Sequence, residues 1–291
     1  PKPGEYEYFV QAVDNAGNVN PVLDHGNYFK TSASGSEIGE TLYVSVVMAG
    51  SVGGVSFDKN DIIRLTPAGE WEMYFDGSDV GLSTTSIKAF EIMDDGSVLI
   101  TVAGPTTIGE LGQVTTTDIV RFVPTSTGET TAGSYVWYFQ GIDVSLSPDS
   151  ESIDAISIDP DGKLILRVKT NATVDLWPSG TLTVGKADLL AFTFSTGGAD
   201  TSGTWALYLD ADDTGITKQN VDAAWVDPEN GDVYLSVDKN FKFGGIEGKP
   251  GTVFVCDPAT SAPIGSCAYS VYWDATAAGI VKNIEGIDIQ R

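Results

Sequence analysis

Residues 188–237 read DLLAFTFSTGGADTSGTWALYLDADDTGITKQNVDAAWVDPENGDVYLSV. Four apolar or alternating runs lie in this stretch: DLLAF from Asp188, WALYLD from Trp205, VDAAWVD from Val221 and VYLSV at 233–237. Period-two alternation rich in aromatic and β-branched residues is the mark of a strand. The pair Asn230-Gly231 between the last two runs signals a tight hairpin. A Gly/Asp loop, ADDTGI, separates the second run from the third. The stretch therefore predicts four strands.

The same pattern recurs along the chain. Segments opening like DLLAF are DIIRL from Asp61, DIVRF from Asp118 and TVFVC from Thr252. Each is followed by an aromatic run (WEMYFD, YVWYFQ, YSVYWD) in which one tyrosine recurs, as Tyr74, Tyr138, Tyr208 and Tyr272. Acidic or Gly-containing loops follow, then IKAFEIM, IDAISID and IEGIDIQ, with Asp95-Gly96 and Asp161-Gly162 in the place of Asn230-Gly231. Fixed-period self-similarity of this kind marks a repeat architecture. The fold expected over 42–291 is all-β: a four-bladed β-propeller-like ring of four-stranded antiparallel sheets.

The fourth unit ends after its third strand, at Arg291, while Leu42–Val47 reads LYVSVV, nearly VYLSV. That N-terminal strand is expected to complete the last sheet and close the ring, so that deleting residues 42–48 would open it. Closure is how propellers protect their sheet edges. A rival phase has LYVSVV opening the first sheet without closure. It is disfavoured because the DG and NG loops would then join different sheets. The long connections 103–117, 169–186 and 238–250 suit crossings between sheets, which puts the DIIRL-type strand at the centre of the ring.

Residues 1–31 differ. GEYEYFVQAVDNAGNVN followed by GNYFK resembles the last two strands of an immunoglobulin- or fibronectin-type domain. Residues 32–41, TSASGSEIGE, read as a linker. The repeats at 42–291 in turn resemble an uncharacterised family of secreted bacterial β-propeller-like repeats, with a pattern similar to "DI-x-x-F … YFDGSDVGL … DVDA … DG-x-LL", found C-terminal to such Ig-like domains. The resemblance implies an extracellular setting and no activity.

Lys+Arg number 16 against Asp+Glu 40, a formal charge of -24. Such a polyanion is repelled by nucleic acid and by anionic membrane surfaces. No run of 18 apolar residues argues for membrane insertion. Cys256 and Cys267 flank the turn of VFVCDPATSAPIGSCAYSVYW, where a hairpin would bring them together as a disulfide in an oxidising compartment.

Three rows of acids are candidates for a metal. Asp61, Asp118 and Asp188 open the DIIRL-type strands. Asp76, Asp79, Asp143, Asp210, Asp213 and Asp274 lie in the loops, and Asp154, Asp222 and Glu285 begin the third strand of their units. The pattern breaks at Lys88, Thr252 and Ala277. Converging on one face, these carboxylates need neutralising, and Ca²⁺, with six to eight oxygen ligands, is the cofactor expected. The same residue types equally shape turns by capping backbone amides. Trp177, in the longest crossing, has no counterpart in the other units and is a candidate to stack on a sugar or a protein. The aligned Trp71, Tyr135, Trp205 and Tyr269, and Phe75, Phe139, Leu209 and Trp273, are expected as core between sheets.

Enzyme signatures are weak. The one histidine, His25, precedes the repeats, which removes Ser-His-Asp chemistry from them. A carboxylate pair for glycoside cleavage is available in principle, but no pair is marked over the others. The reading is a non-catalytic adhesion or scaffold module, secreted or at the cell surface, with a glycan or surface protein as partner. The alternatives are a lectin or glycoside-cleaving enzyme using the acidic face, and a self-assembling surface or filament protein associating through its N-terminal hairpin.

Overall fold

The computed structural model describes residues 39–146, 151–176, 179–216, 219–281 and 283–291 in full, together with the backbone of strands Gly4–Tyr8, Val10–Val13, Val19–Val22 and Phe29–Ala33. Those four N-terminal strands form two antiparallel pairs, Gly4–Tyr8 with Phe29–Ala33 and Val10–Val13 with Val19–Val22. Trp177 and His25 lie outside the described residues.

Four four-stranded antiparallel sheets make up the rest. Taken from the axis outward, sheet I is Ile284–Gln290, Thr41–Val46, Ile62–Leu65 and Trp71–Phe75. Sheet II is Ile87–Ile92, Val98–Val102, Ile119–Ser126 and Ala132–Phe139. Sheet III is Ile153–Ile158, Leu164–Val168, Leu189–Thr196 and Ser202–Leu209. Sheet IV is Val221–Val226, Val233–Val237, Thr252–Pro258 and Cys267–Asp274. The innermost strands touch their neighbours around the ring, II on III, III on IV, IV on I and I on II. This is the arrangement of a four-bladed β-propeller.

The closure pairing is present: Val44 lies opposite Ile287 and Leu42 opposite Ile289. The phase of the repeat differs from the sequence reading. The DIIRL-type segments are third from the axis, and the IKAFEI-type segments are innermost. Sheet I takes three strands from the N-terminal side and only its innermost strand from the C-terminus. The long connections lie within sheets, between second and third strands, and the acidic loops are the crossings between sheets. The reason is that each long connection folds back on itself as a small hairpin: Gly50–Val52 with Val55–Phe57, Thr106–Ile108 with Gly112–Val114, Ala172–Asp175 with Thr181–Val184, and Phe241–Phe243 with Ile246–Gly248. A connection that returns to where it left can join adjacent antiparallel strands.

The aligned aromatics are core between sheets, as expected. Phe75 of sheet I meets Phe122 of sheet II at 5.1 Å, edge-on. Phe139 of sheet II meets Phe192 of sheet III at 5.2 Å, and Trp273 of sheet IV meets Trp71 of sheet I at 6.4 Å. Such contacts bury large rings and favour edge-to-face geometry.

The recurring tyrosine has a separate role. In every outermost strand it is the extra residue of a β-bulge: pairing skips Tyr74, Tyr138, Tyr208 and Tyr272. A bulge releases its residue from the ladder. The freed carbonyl accepts a hydrogen bond from the hairpin tip of the next sheet, Gly128 N to Tyr74 O at 2.7 Å, Gly198 N to Tyr138 O at 2.9 Å and Ile264 N to Tyr208 O at 2.8 Å. Side chains reinforce two of these clasps. Asp76 N and Gln140 N donate to Thr131 and Thr201 hydroxyls, and Thr131 N and Thr201 N donate to Asp79 and Asp143. The third clasp uses the longer tip of sheet IV, stapled at its base by the disulfide Cys256–Cys267. Sheet I has only the tight turn Thr66–Glu70, so the fourth junction carries no such clasp among the described residues. There Glu40 accepts from the Tyr272 hydroxyl at 2.7 Å and from Arg291 Nε at 2.8 Å.

Candidate functional site

The four innermost strands align as IKAFEIM (87–93), IDAISID (153–159), VDAAWVD (221–227) and IEGIDIQ (284–290). Their third positions are Ala89, Ala155, Ala223 and Gly286, all small. A Cβ on Gly286 would lie 2.8 Å from Phe90 Cδ1, so little room exists where the strands converge. Their second positions, Lys88, Asp154, Asp222 and Glu285, are the skipped residues of a second bulge series. That bulge breaks the period-two alternation and gathers charged side chains on one end of the axis.

This group mixes signs. Lys88 Nζ pairs with Glu285, and Arg167, fully buried, pairs with Asp154 at 2.6 Å. Arg167 also donates to Asn220 Oδ1 and to the Lys186 carbonyl. Asp222 accepts from Asn220 and Asn283, yet burial pushes its pKa up to about 6, aided by Glu285 and Asp238. Burial also raises Glu285, and Lys88 opposes it. Two of the third row's three acids, Glu285 and Asp154, are thus paired with cations of the protein, and Asp222 is held by two asparagines.

The other rows are held by backbone amides. Asp61, Asp118 and Asp188 each bridge two segments: one oxygen accepts from Asp58 N, Thr115 N or Gly185 N, the other from Gly77 N, Gly141 N or Ala211 N. At Thr252 the hydroxyl accepts from Lys249 N in the same way. Burial still raises Asp61, to about 6. In the loops, Asp76, Asp210 and Asp274 accept from amides two or three residues ahead, and Asp79 and Asp143 serve the clasps. Asp213 lies near the tip of sheet IV, its Oδ2 3.5 Å from where a Cβ of Gly265 would stand. Among the described residues, no three of these acids gather closely enough to hold a metal.

The opposite end of the axis holds what sequence reasoning missed. Between the turns of sheets II, III and IV and the C-terminus lies an open cavity of about 870 Å³. Its floor includes Glu91 and Asp288, fifth residues of their strands, both almost wholly buried. Three of the four fifth residues form a pinwheel, accepting from the sixth residue of the next strand: Glu91 Oε1 from Ile158 N at 3.3 Å, Ser157 Oγ from Val226 N at 2.9 Å, and Asp288 Oδ2 from Ile92 N at 2.7 Å. Trp225 fills the fourth place. Glu91 Oε2 has no hydrogen-bond partner. Burial raises the Glu91 pKa well above the ordinary glutamate value, the neighbouring Asp288 raises it further, and the Ile158 amide and Ser157 hydroxyl oppose this. Asp288 is raised by burial too, against its bond from Ile92 N. Asp94, Asp95, Asp159, Asp227 and Glu229 stand on the walls with two cations, Arg121 and Arg291. Arg121 is paired with Asp95, and Arg291 with Asp227 and Glu40. The signal in the sequence was a second break in repeat symmetry, Glu and Asp where the other units carry Ser and Trp.

No protein-family model matches the sequence, and no curated protein matches it. Solved structures are similar only distantly. One is a protein of unknown function from Bacteroides caccae, at 11% identity over 100% of both chains and a TM-score of 0.34. Another is YCF48 bound to D1 peptide, at 11% identity over 94% of this chain and 66% of that one, TM-score 0.32. The extracellular domain of a putative hybrid two component system from B. thetaiotaomicron matches at 9% identity over 93% and 47%, TM-score 0.26. At these scores the likeness carries no argument, and the ring stands on its own sheet pairing. Among the described residues, no helix is long and apolar enough to cross a membrane.

Proposed function

We propose that this domain is a non-catalytic binding and scaffold module of a secreted or cell-surface protein. The observation that carries the reading is the interlocking of the ring: three junctions are clasped by backbone bonds from one sheet's tip to the next sheet's bulge, and one tip is stapled by a disulfide. A ring so tied presents its loops in fixed positions, and a structural disulfide suits an oxidising compartment. Asp79 and Asp143 of the acidic loops join this tying through the Thr131 and Thr201 amides.

The carbohydrate-active reading is the second one, favoured by the Glu91–Asp288 pair at the floor of an open cavity, since glycoside cleavage uses two carboxyl groups in different environments. A glycan array run beside a reducing-sugar release assay separates the two. The module reading expects no sugar release from any array ligand; release abolished by Glu91→Gln would replace it with an enzyme. Calcium stiffening is a separate expectation, tested by melting in Ca²⁺ against EDTA. With backbone amides, Lys88 and Arg167 already engaging the acids, the melting temperature is expected to stay unchanged.

A further inference from the structure

Three junctions of the ring are closed by a hairpin tip, and at two of them the tip has one form. Gly128 N and Gly198 N donate to the bulge carbonyls of Tyr74 and Tyr138. A threonine three residues on, Thr131 or Thr201, then accepts the next free amide of the edge on its hydroxyl. That hydroxyl also donates to the carbonyl of its own glycine, at 2.9 Å in both tips, so Gly-x-x-Thr is a preformed plug. Phe75 and Gly128 form an isolated parallel bridge, as do Leu209 and Ile264 at the third junction. These tips thus add one step of strand to the free edge of the sheet before them.

The edge of sheet IV has the same shape and, among the described residues, no plug. Pairing skips Tyr272 as it skips its three counterparts, but the facing turn of sheet I is the tight Thr66–Glu70. Ala275 N, not Asp274 N, bonds back into the sheet, at the Gly251 carbonyl, so the Asp274 amide points away from its partner strand. Burial marks the same gap. The residue before each bulge tyrosine is Met73, Trp137, Leu207 or Val271. Met73 is 8% exposed and Trp137 and Leu207 are half-buried, whereas Val271 is 48% exposed. An open edge of this kind is a template on which another segment can pair. The chain itself displays the segment that fits, since the matching edges of sheets I and II hold Gly-x-x-Thr. One contact of the plug is missing here: Asp79 and Asp143 accept from the threonine amide, and Ala277 stands in their place.

We propose that the outer edge of sheet IV, residues 271–274, docks a Gly-x-x-Thr turn of a partner protein. The glycine N–H bonds to the Tyr272 carbonyl, the threonine hydroxyl accepts from the Asp274 amide, and the turn covers Val271. The inference rests on the binding-module reading and names the form of the partner.

The test is titration of the ¹⁵N-labelled domain, residues 1–291, with a peptide of residues 123–133 closed into a hairpin by added terminal cysteines. Control peptides carry Gly128→Pro, which removes the donor N–H, or Thr131→Val, which removes the hydroxyl. Saturable shifts are expected at the Trp273 and Asp274 amides, with binding weakened at least tenfold by either control. In the domain, Ala277→Asp restores the third contact and is expected to tighten binding about fivefold, the worth of one hydrogen bond. Should that variant fail to fold, the wild-type titration with the three peptides decides alone. No shift at either amide, or an equal response to the Gly128→Pro peptide, would overturn the proposal. Dimerisation in light scattering that shifts the same amides without peptide would assign the edge to a second copy and overturn it as well. Sugar release by the domain would overturn the module reading instead, leaving the docking edge to be judged by its own titration.

Discussion

At the residue scale the fold turns on charges placed where water is scarce. Arg167 is fully buried with Asp154, whereas the Arg121–Asp95 pair is largely open to solvent. Removing one member of a buried pair strands the other, at a cost of about 3–5 kcal/mol, while an exposed pair is worth about 0–1 kcal/mol. Arg167→Ala is therefore expected to lower the urea midpoint sharply and Arg121→Ala hardly at all. Equal effects would mean that the axis is hydrated enough to screen its charges. Lys88 was legible in the sequence as a departure from the acidic row. Its meaning was not, because only the ring brings it against Glu285, 197 positions away.

Elements hold this ring by their irregularities. Two series of bulges repeat around it. The outer one frees the tyrosine carbonyls for the clasps, and the inner one turns charged side chains to one end of the axis. Replacing the tip 127–131 by a turn as short as Thr66–Glu70 removes the Gly128 to Tyr74 bond and the Thr131 contacts. At about 1 kcal/mol net per hydrogen bond, a loss of about 2–3 kcal/mol in denaturant unfolding is expected. The disulfide closes a loop across a sequence separation of 11, which the chain-entropy account values at about 3 kcal/mol. Cys267→Ser should lose about that much, and a melting temperature unmoved by reductant would show that the tip is held by its clasp alone.

Over the whole molecule the buried acids set the pH response. Asp61 and Asp222 are raised to about 6, and Asp188, Glu285, Glu91 and Asp288 are raised as well. A carboxyl raised on folding binds more protons in the native state than in the unfolded one. Stability therefore falls as pH climbs from the ordinary carboxylate range, near 4, through about 6. The charge of -24 adds self-repulsion in the same direction. The melting temperature should rise when the pH is brought from 8 to 5.5, and Glu91→Gln should flatten that slope; a fall on acidification would contradict the raised values. Closure has its own test. The innermost strand Ile284–Gln290 touches the innermost strands of both flanking sheets, so ending the chain at Val281 should abolish cooperative melting in circular dichroism.

The amino-acid sequence by itself determined the strands, their fourfold recurrence, the tight turns at Asp95-Gly96, Asp161-Gly162 and Asn230-Gly231, the cysteine pair and the partner of Leu42–Val47. Those are properties of local alternation, turn chemistry and similarity between segments. It also held an unread signal in SVGGVSF and FKFGGIEG, where paired glycines with positive φ, at 53–54 and 244–245, mark the hairpins that return two of the four long connections to their own sheets. Only the tertiary structure decided which strands face the axis. A period-two pattern is the same for an inner and an outer strand, and a single skipped residue shifts every side chain after it to the other face. For that reason the amide bonds of loop acids such as Asp79 and Asp143 to the next sheet could not be read from the chain, and the buried pair Glu91–Asp288, 197 positions apart in sequence, became visible only once the ring had closed.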